Sequence, residues 1–100
     1  MKKVLLISPQ VTATKILVDR TKRLAQSQGI SMEISTMSET QGRKYINDYD
    51  VVLLSPQLRF LVSNRQKLGA RDGLPIDVLN SKDFGSLDAE AFLRIIVAHL

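Results

Sequence analysis

Four short runs of branched apolar residues, separated by stretches with helical periodicity, constrain this chain more than any other feature. The runs are Val4-Leu5-Leu6-Ile7, Ser31-Met32-Glu33-Ile34, Val51-Val52-Leu53-Leu54 and Ile76-Asp77-Val78-Leu79. The first and third are continuous, as strands buried on both faces of a parallel sheet require. The second and fourth alternate with polar residues, which places them nearer the sheet edges. Between the runs lie helical stripes. Thr14, Leu17, Val18, Thr21, Leu24 and Ala25 fall on one helix face, with Lys15, Asp19, Arg20, Lys22, Arg23 and Gln26 on the other, and Gly29 ends the helix. Leu58, Leu61, Val62 and Leu68 predict a helix ending at Gly69. Ala89, Phe92, Leu93, Ile96 and Val97 predict a last helix with Asp88 near its start. Ser38 to Asp48 is a weaker segment: Ser38-Glu39 can start a short helix pinned by Tyr45, Ile46 and Tyr49, but Gly42 argues against it.

The resulting order, β-α-β-α-β-α-β-α, predicts an α/β fold: a single three-layer domain over residues 1–100, with a four-stranded parallel sheet and helices on both faces. With 100 residues, 44% of them hydrophobic, the chain can build one compact core but not two. In such sheets ligands bind outside the carboxyl ends of the strands, at the topological switch point. That rule selects the turns after the first and third strands.

Those two turns share a string. Val4-Leu5-Leu6-Ile7-Ser8-Pro9-Gln10 and Val51-Val52-Leu53-Leu54-Ser55-Pro56-Gln57 differ only in apolar identities. The similarity fits convergence on one task, a buried strand leading into a helix start. Pro suits the first helical turn, where its missing N–H is not needed. Ser8 and Ser55 then read as helix-start caps. Both serines also stand where chemistry would be placed, and the residues alone leave the two readings open.

Several function classes are excluded. No cysteine is present, so disulfides, thiolate nucleophiles and thiolate metal sites are absent. A low-molecular-weight phosphatase needs Cys-x5-Arg at the first turn, but positions 8 and 14 are Ser and Thr. There is no Walker loop. His99, the only histidine, has no ligand partner at useful spacing and reads as a solvated helix end, so no metal site and no cofactor are expected. Asp48 and Asp50 mark a loop before a strand, Asp77 and Asp83 stand apart, and Met32 and Met37 read as packing residues. The net charge of +4 is spread over several segments without interleaved aromatics, which argues against nucleic acid. No apolar run approaches a signal peptide core or a membrane span, so the expected place is the cytoplasm, without direct membrane insertion.

Along its whole length the sequence resembles the IIB component of the lactose/cellobiose-type bacterial sugar phosphotransferase system. Lys2 to Ile7 matches the first strand, and Ile16-Leu17-Val18 follows the strand end at the family's interval. Asp50 to Gln57 matches the third strand and the family's Gly-Pro-Gln turn. Pro75-Ile76-Asp77-Val78-Leu79-Asn80, Phe84-Gly85 and Asp88 match the last strand and the start of the last helix. The resemblance implies a sheet of order 2-1-3-4. It also implies a phosphocarrier that takes a phosphoryl group from a IIA phosphohistidine and passes it to a sugar on the membrane IIC permease. Its partners would be a IIA-like protein and IIC, which would recruit it to the inner face of the membrane.

In that family a cysteine ends the first strand, and a loop of the type Ser-Ala-Gly-Met-Ser-Thr-Ser wraps its phosphate with backbone N–H groups. Ser8 occupies the cysteine position, followed by Pro9, Gln10, Val11, Thr12, Ala13, Thr14 and Lys15 as the phosphate loop. A hydroxyl needs an adjacent base to become nucleophilic, and none lies in this segment. Pro9 removes an amide donor. Val11 replaces the glycine and resists positive φ, so a loop of different shape is expected. Thr14 keeps the family's hydroxyl, and Lys15 adds a charge near the helix start. These changes occur together, which favours natural divergence over a single laboratory Cys→Ser change. Ser55, Pro56 and Gln57 form the neighbouring turn, and Arg20 with Arg59 suggests a basic docking rim. Three readings are open: a IIB-like domain that has lost phosphocysteine transfer but still docks or regulates a partner, active transfer through Ser8, or small-anion binding on the same fold.

Overall fold

The computed structural model describes residues 1–100. Four strands, β1 (Lys2–Ile7), β2 (Met32–Met37), β3 (Val51–Leu54) and β4 (Ile76–Val78), form one sheet. Five helices connect or follow them: α1 (Val11–Ser27), α2 (Glu39–Tyr45), α3 (Arg65–Leu68), α4 (Ser81–Gly85) and α5 (Ala89–Ala98). All pairings are parallel, as the alternation of elements predicted, and the order is β2-β1-β3-β4, as the resemblance implied.

The sheet divides the apolar interior in two. Successive side chains of a strand point to opposite faces. On one side Val4, Leu6, Val51 and Leu53 pack with Leu17 and Val18 of α1, Phe84 of α4, and Phe92 and Ile96 of α5. On the other, Leu5, Ile7, Val52 and Leu54 pack with Ile46, Tyr49, Leu58, Leu61, Leu68 and Leu74. The eight residues of the continuous runs, Val4 to Ile7 and Val51 to Leu54, are all buried, which is why those runs lack polar interruptions.

Several expectations need correction. β2 begins at Met32 rather than Ser31 and runs three residues past Ile34, because Ser35, Thr36 and Met37 complete a six-residue pairing with β1. The single helix expected between Leu58 and Leu68 is broken. Pro56–Leu61 forms a 3-10 segment kinked at Leu58, and α3 starts afresh after Asn64. Ser63 and Asn64, whose side chains compete for backbone hydrogen bonds, occupy the gap. Of the three residues expected to pin the weak segment, Ile46 and Tyr49 are buried but Tyr45 is exposed. Leu24 is only half-buried and Val97 is exposed, so the apolar stripes of α1 and α5 are narrower than the periodicity implied. α4 stands as a separate short helix ahead of α5.

Gly42, which argued against a helix, belongs in α2 for a packing reason. A Cβ there would lie 2.8 Å from Cδ1 of Ile7, so only glycine lets α2 sit this close to β1. Ser38 caps α2 by accepting the N–H of Gln41. Asp50 is structural: its Oδ2 accepts the N–H of Lys3 at 2.8 Å. His99 is not alone in solvent, since its Nε2 lies 3.1 Å from Oδ2 of Asp77. No helix is long and apolar enough to cross a membrane.

Candidate functional site

The carboxyl ends of β1 and β3 lie side by side, and each ladder runs one residue beyond its strand. Ser8 N–H donates to the Met37 carbonyl at 3.0 Å, and Ser55 N–H donates to the Ile7 carbonyl at 3.0 Å. Alternation carries both serine side chains to the face of the sheet covered by α1, α4 and α5. Both residues are completely buried.

The two turns then diverge. At the first, Ser8 Oγ accepts the N–H of Gln10 at 3.1 Å, and α1 begins at Val11. Ser8 therefore closes a tight turn two residues ahead of the helix-capping position, which Gln10 occupies without a capping bond from its side chain. Pro9 lies outside the helix rather than in its first turn. At the second, Ser55 does hold the capping position with Pro56 at the start of the 3-10 segment, yet its hydroxyl caps nothing. Ser55 Oγ is buried with no hydrogen-bond partner. Leu58 N–H bonds instead to the Ser55 carbonyl at 2.9 Å.

Of the segment expected to form a phosphate loop, only Pro9 and Gln10 are turn. Val11, Thr12, Ala13, Thr14 and Lys15 form the first turns of α1. Val11 has a negative φ, because Leu87 is the only non-glycine residue with a positive one. A valine at this position is compatible with a helix that starts early and incompatible with a glycine-type loop. Thr14 is fully buried and turns inward: its Oγ1 lies 2.9 Å from the Val11 carbonyl and 2.8 Å from Oγ1 of Thr36 on β2. Thr36, unnoticed in the sequence, anchors the start of α1 to the sheet; an isolated threonine in a strand gives no signal of such a bond. Lys15 is exposed.

The amides of Val11, Thr12 and Ala13 have no acceptor within the chain, so the start of this 17-residue helix offers donors and a dipole that favour an anion. The Ser8 hydroxyl offers little nucleophilicity: its one hydrogen-bond partner is the Gln10 amide, and no imidazole or carboxylate bonds to it.

Two open cavities line the strand ends. One, about 440 Å³, is bounded by Gln10, Pro56, Gln57, Ser81, Phe84 and Gly85. The other, about 320 Å³, is bounded by Pro56, Arg59, Val78, Leu79, Asn80 and Ser81. Together they bring Gln10, Pro56, Gln57 and Arg59 to one edge. Asn80 and Ser81 join them there. Asn80 caps α4 by accepting the Asp83 N–H at 2.8 Å, while its own amide donates to the Asp83 carboxylate at 2.7 Å. An Asn-x-x-Asp pattern directly after a strand was the signal for this helix start. Arg20 is elsewhere. It is the tenth residue of α1, roughly 13 Å along the axis from Val11 at 1.5 Å per residue. Its Nη1 donates to the Leu87 carbonyl at 3.4 Å. No group of three or more acidic or histidine side chains could hold a metal ion.

A parallel sheet of order 2-1-3-4, covered by helices on both faces and with a 17-residue helix starting just past the carboxyl end of its first strand, defines a three-layer α/β domain. The chain belongs to the lactose/cellobiose-specific IIB family of the phosphotransferase system (PTS): the family model described as PTS system, Lactose/Cellobiose specific IIB subunit, matches residues 3–94. A PTS oligo-beta-mannoside-specific EIIB component from Bacillus subtilis (strain 168) is 31% identical over 90 residues, which cover 90% of this chain and 87% of that protein. The solved cellobiose-specific IIB component of Borrelia burgdorferi is 30% identical, with a TM-score of 0.78 over 98% of this chain and 90% of its own. The lactose-specific IIB domain from Streptococcus pneumoniae has a TM-score of 0.82 over 98% and 96% of the two chains; at 17% identity that likeness speaks for the fold alone.

Proposed function

We propose that this chain, as one IIB-like domain over residues 1–100, has lost phosphocysteine-type transfer and retains partner docking or a regulatory role in a PTS. Its partners are then a IIA-like phosphocarrier and a membrane IIC permease, and its place is the cytoplasm, with recruitment to the inner membrane face by IIC. Buried Ser8 carries this reading: its hydroxyl accepts the Gln10 N–H and bonds to no base. Burial keeps a phosphoryl donor away from Oγ, and the missing base leaves the hydroxyl unactivated.

The test is incubation with phosphoenolpyruvate, the general PTS proteins and a cognate IIA, read by intact mass. A family member that keeps the cysteine serves as positive control. The expected result is no added phosphoryl group on this chain, together with a complex with IIA detectable by titration. A phosphoryl increment that disappears in Ser8→Ala would establish transfer through Ser8 instead.

One observation favours a second reading, small-anion binding: the unpaired amides of Val11, Thr12 and Ala13 at the start of α1. It predicts that inorganic phosphate shifts the amide resonances of Gln10 to Lys15 without any IIA present.

A further inference from the structure

β4 is a free edge of the sheet. Val52 N–H donates to the Pro75 carbonyl and Leu79 N–H to the Leu54 carbonyl, each at 2.9 Å. In a parallel strand alternate residues direct their backbone groups to the same neighbour. Pro75, Asp77 and Leu79 therefore face β3, and Ile76 and Val78 turn theirs outward. Outward N–H and C=O groups on an edge strand are a template for another strand.

Asp77 obstructs that template with both carboxylate oxygens. Its Oδ1 accepts the N–H of Val78 at 2.7 Å, taking up an outward donor. Its Oδ2 lies 3.1 Å from Nε2 of His99, the residue that closes α5. Ile76 and Val78 pack against the second core, so alternation places Asp77 on the opposite face, the one α5 covers. The pair stays in contact with water: the side chains of His99 and Asp77 are 30% and 45% exposed. The other edge, β2, carries the exposed charge of Glu33.

We propose that the Asp77–His99 clasp is an edge guard, which keeps a second copy of this chain from adding its own β4 alongside this one. A charged side chain at the centre of a three-residue edge, with the outward Val78 amide already bonded, leaves an incoming strand a single outward donor, the Ile76 N–H, directly beside a carboxylate.

The test replaces Asp77 and measures mass by light scattering over a concentration series. Asp77→Val should shift the average mass from one chain toward two as concentration rises, while the parent chain stays at one. Asp77→Ala carries the same test should the valine variant fail to fold. Asp77→Asn keeps an oxygen for the Val78 amide and a partner for His99, and should stay monomeric. Adding Val78→Pro to Asp77→Val removes the outward N–H that Asp77 otherwise occupies, a loss an edge position tolerates, and should return the mass to one chain. A folded Asp77→Val or Asp77→Ala that stays monomeric overturns the proposal and leaves the clasp a tie between α5 and β4. Association undiminished by Val78→Pro overturns it too.

Discussion

At Gly42 a single hydrogen sets how closely α2 can approach the sheet. Gly42→Ala would gain up to about 1 kcal/mol of helix propensity. It would also force a methyl against Cδ1 and Cγ1 of Ile7, at 2.8 and 3.0 Å, in a fully buried site. Overpacking of this kind costs about 1–3 kcal/mol, so a net loss of about 1–2 kcal/mol is expected, readable as a lower urea midpoint with unchanged slope. The two buried hydroxyls near the site should respond in opposite ways. Thr14→Val strips Thr36 of its partner and should cost about 1–2 kcal/mol. Ser55→Ala removes an oxygen that already lacks a partner, and should be neutral or stabilising in the same denaturation measurement. The sequence showed that positions 8, 14 and 55 carry hydroxyls at strand ends and a helix start. Which of them is bonded depends on chain crossings such as Thr14 against Thr36, 22 residues apart, and no local pattern encodes that.

Among the elements, the repeated Ser-Pro-Gln string is the clearest measure of what local sequence can say. Both copies come after a buried strand, as expected, yet one leads to a 17-residue α-helix and the other to a kinked 3-10 segment. The difference lies in the residues downstream of each copy. The first copy runs into an uninterrupted amphipathic stripe, whereas the second must bury Leu58 and Leu61 within a short span and then meets Ser63 and Asn64. β1 and β3 were legible because burial on both faces leaves no room for polar residues. β2 was legible only over its first half, since Ser35 and Thr36 belong to a strand only by pairing with β1. The first turn makes a prediction at this scale. Because the helix starts at Val11 and Pro9 supplies no amide, Ser8→Cys alone should not accept a phosphoryl group from IIA. Adding Pro9→Ser and Val11→Gly should allow it, and intact mass distinguishes the two. At the other end of the chain, Asp88 caps α5 through the Ala91 N–H at 3.1 Å, so Asp88→Ala should lower stability by about 1 kcal/mol in thermal or urea unfolding.

For the whole molecule, the sheet separates two cores that share no side chain. Ile34→Val in one and Ile46→Val in the other should each cost about 0.5–1.5 kcal/mol. The double variant should equal their sum to within about 0.5 kcal/mol, because the sites have no common partner. A larger coupling, measured by a double-mutant cycle, would show that the strands transmit strain from face to face. Alternation of strands and helices predicts the parallel sheet and right-handed crossovers, and the order found, 2-1-3-4, is the one the family resemblance implied. The fold was therefore legible nearly in full. The two strand-end turns were legible as neighbours, and the inward turn of their hydroxyls was not.

Burial of Ser8 also puts any reaction there on a clock. A phosphoryl donor or an acylating reagent reaches this hydroxyl only while the turn from Ser8 to Gln10 is open, and opening breaks the bond from the Gln10 amide to Oγ. The same event frees that amide to exchange its hydrogen with solvent. Labelling at Ser8 and amide exchange at Gln10 should then share one dependence on temperature and denaturant, so the hydrogen of one residue times the reactivity of another.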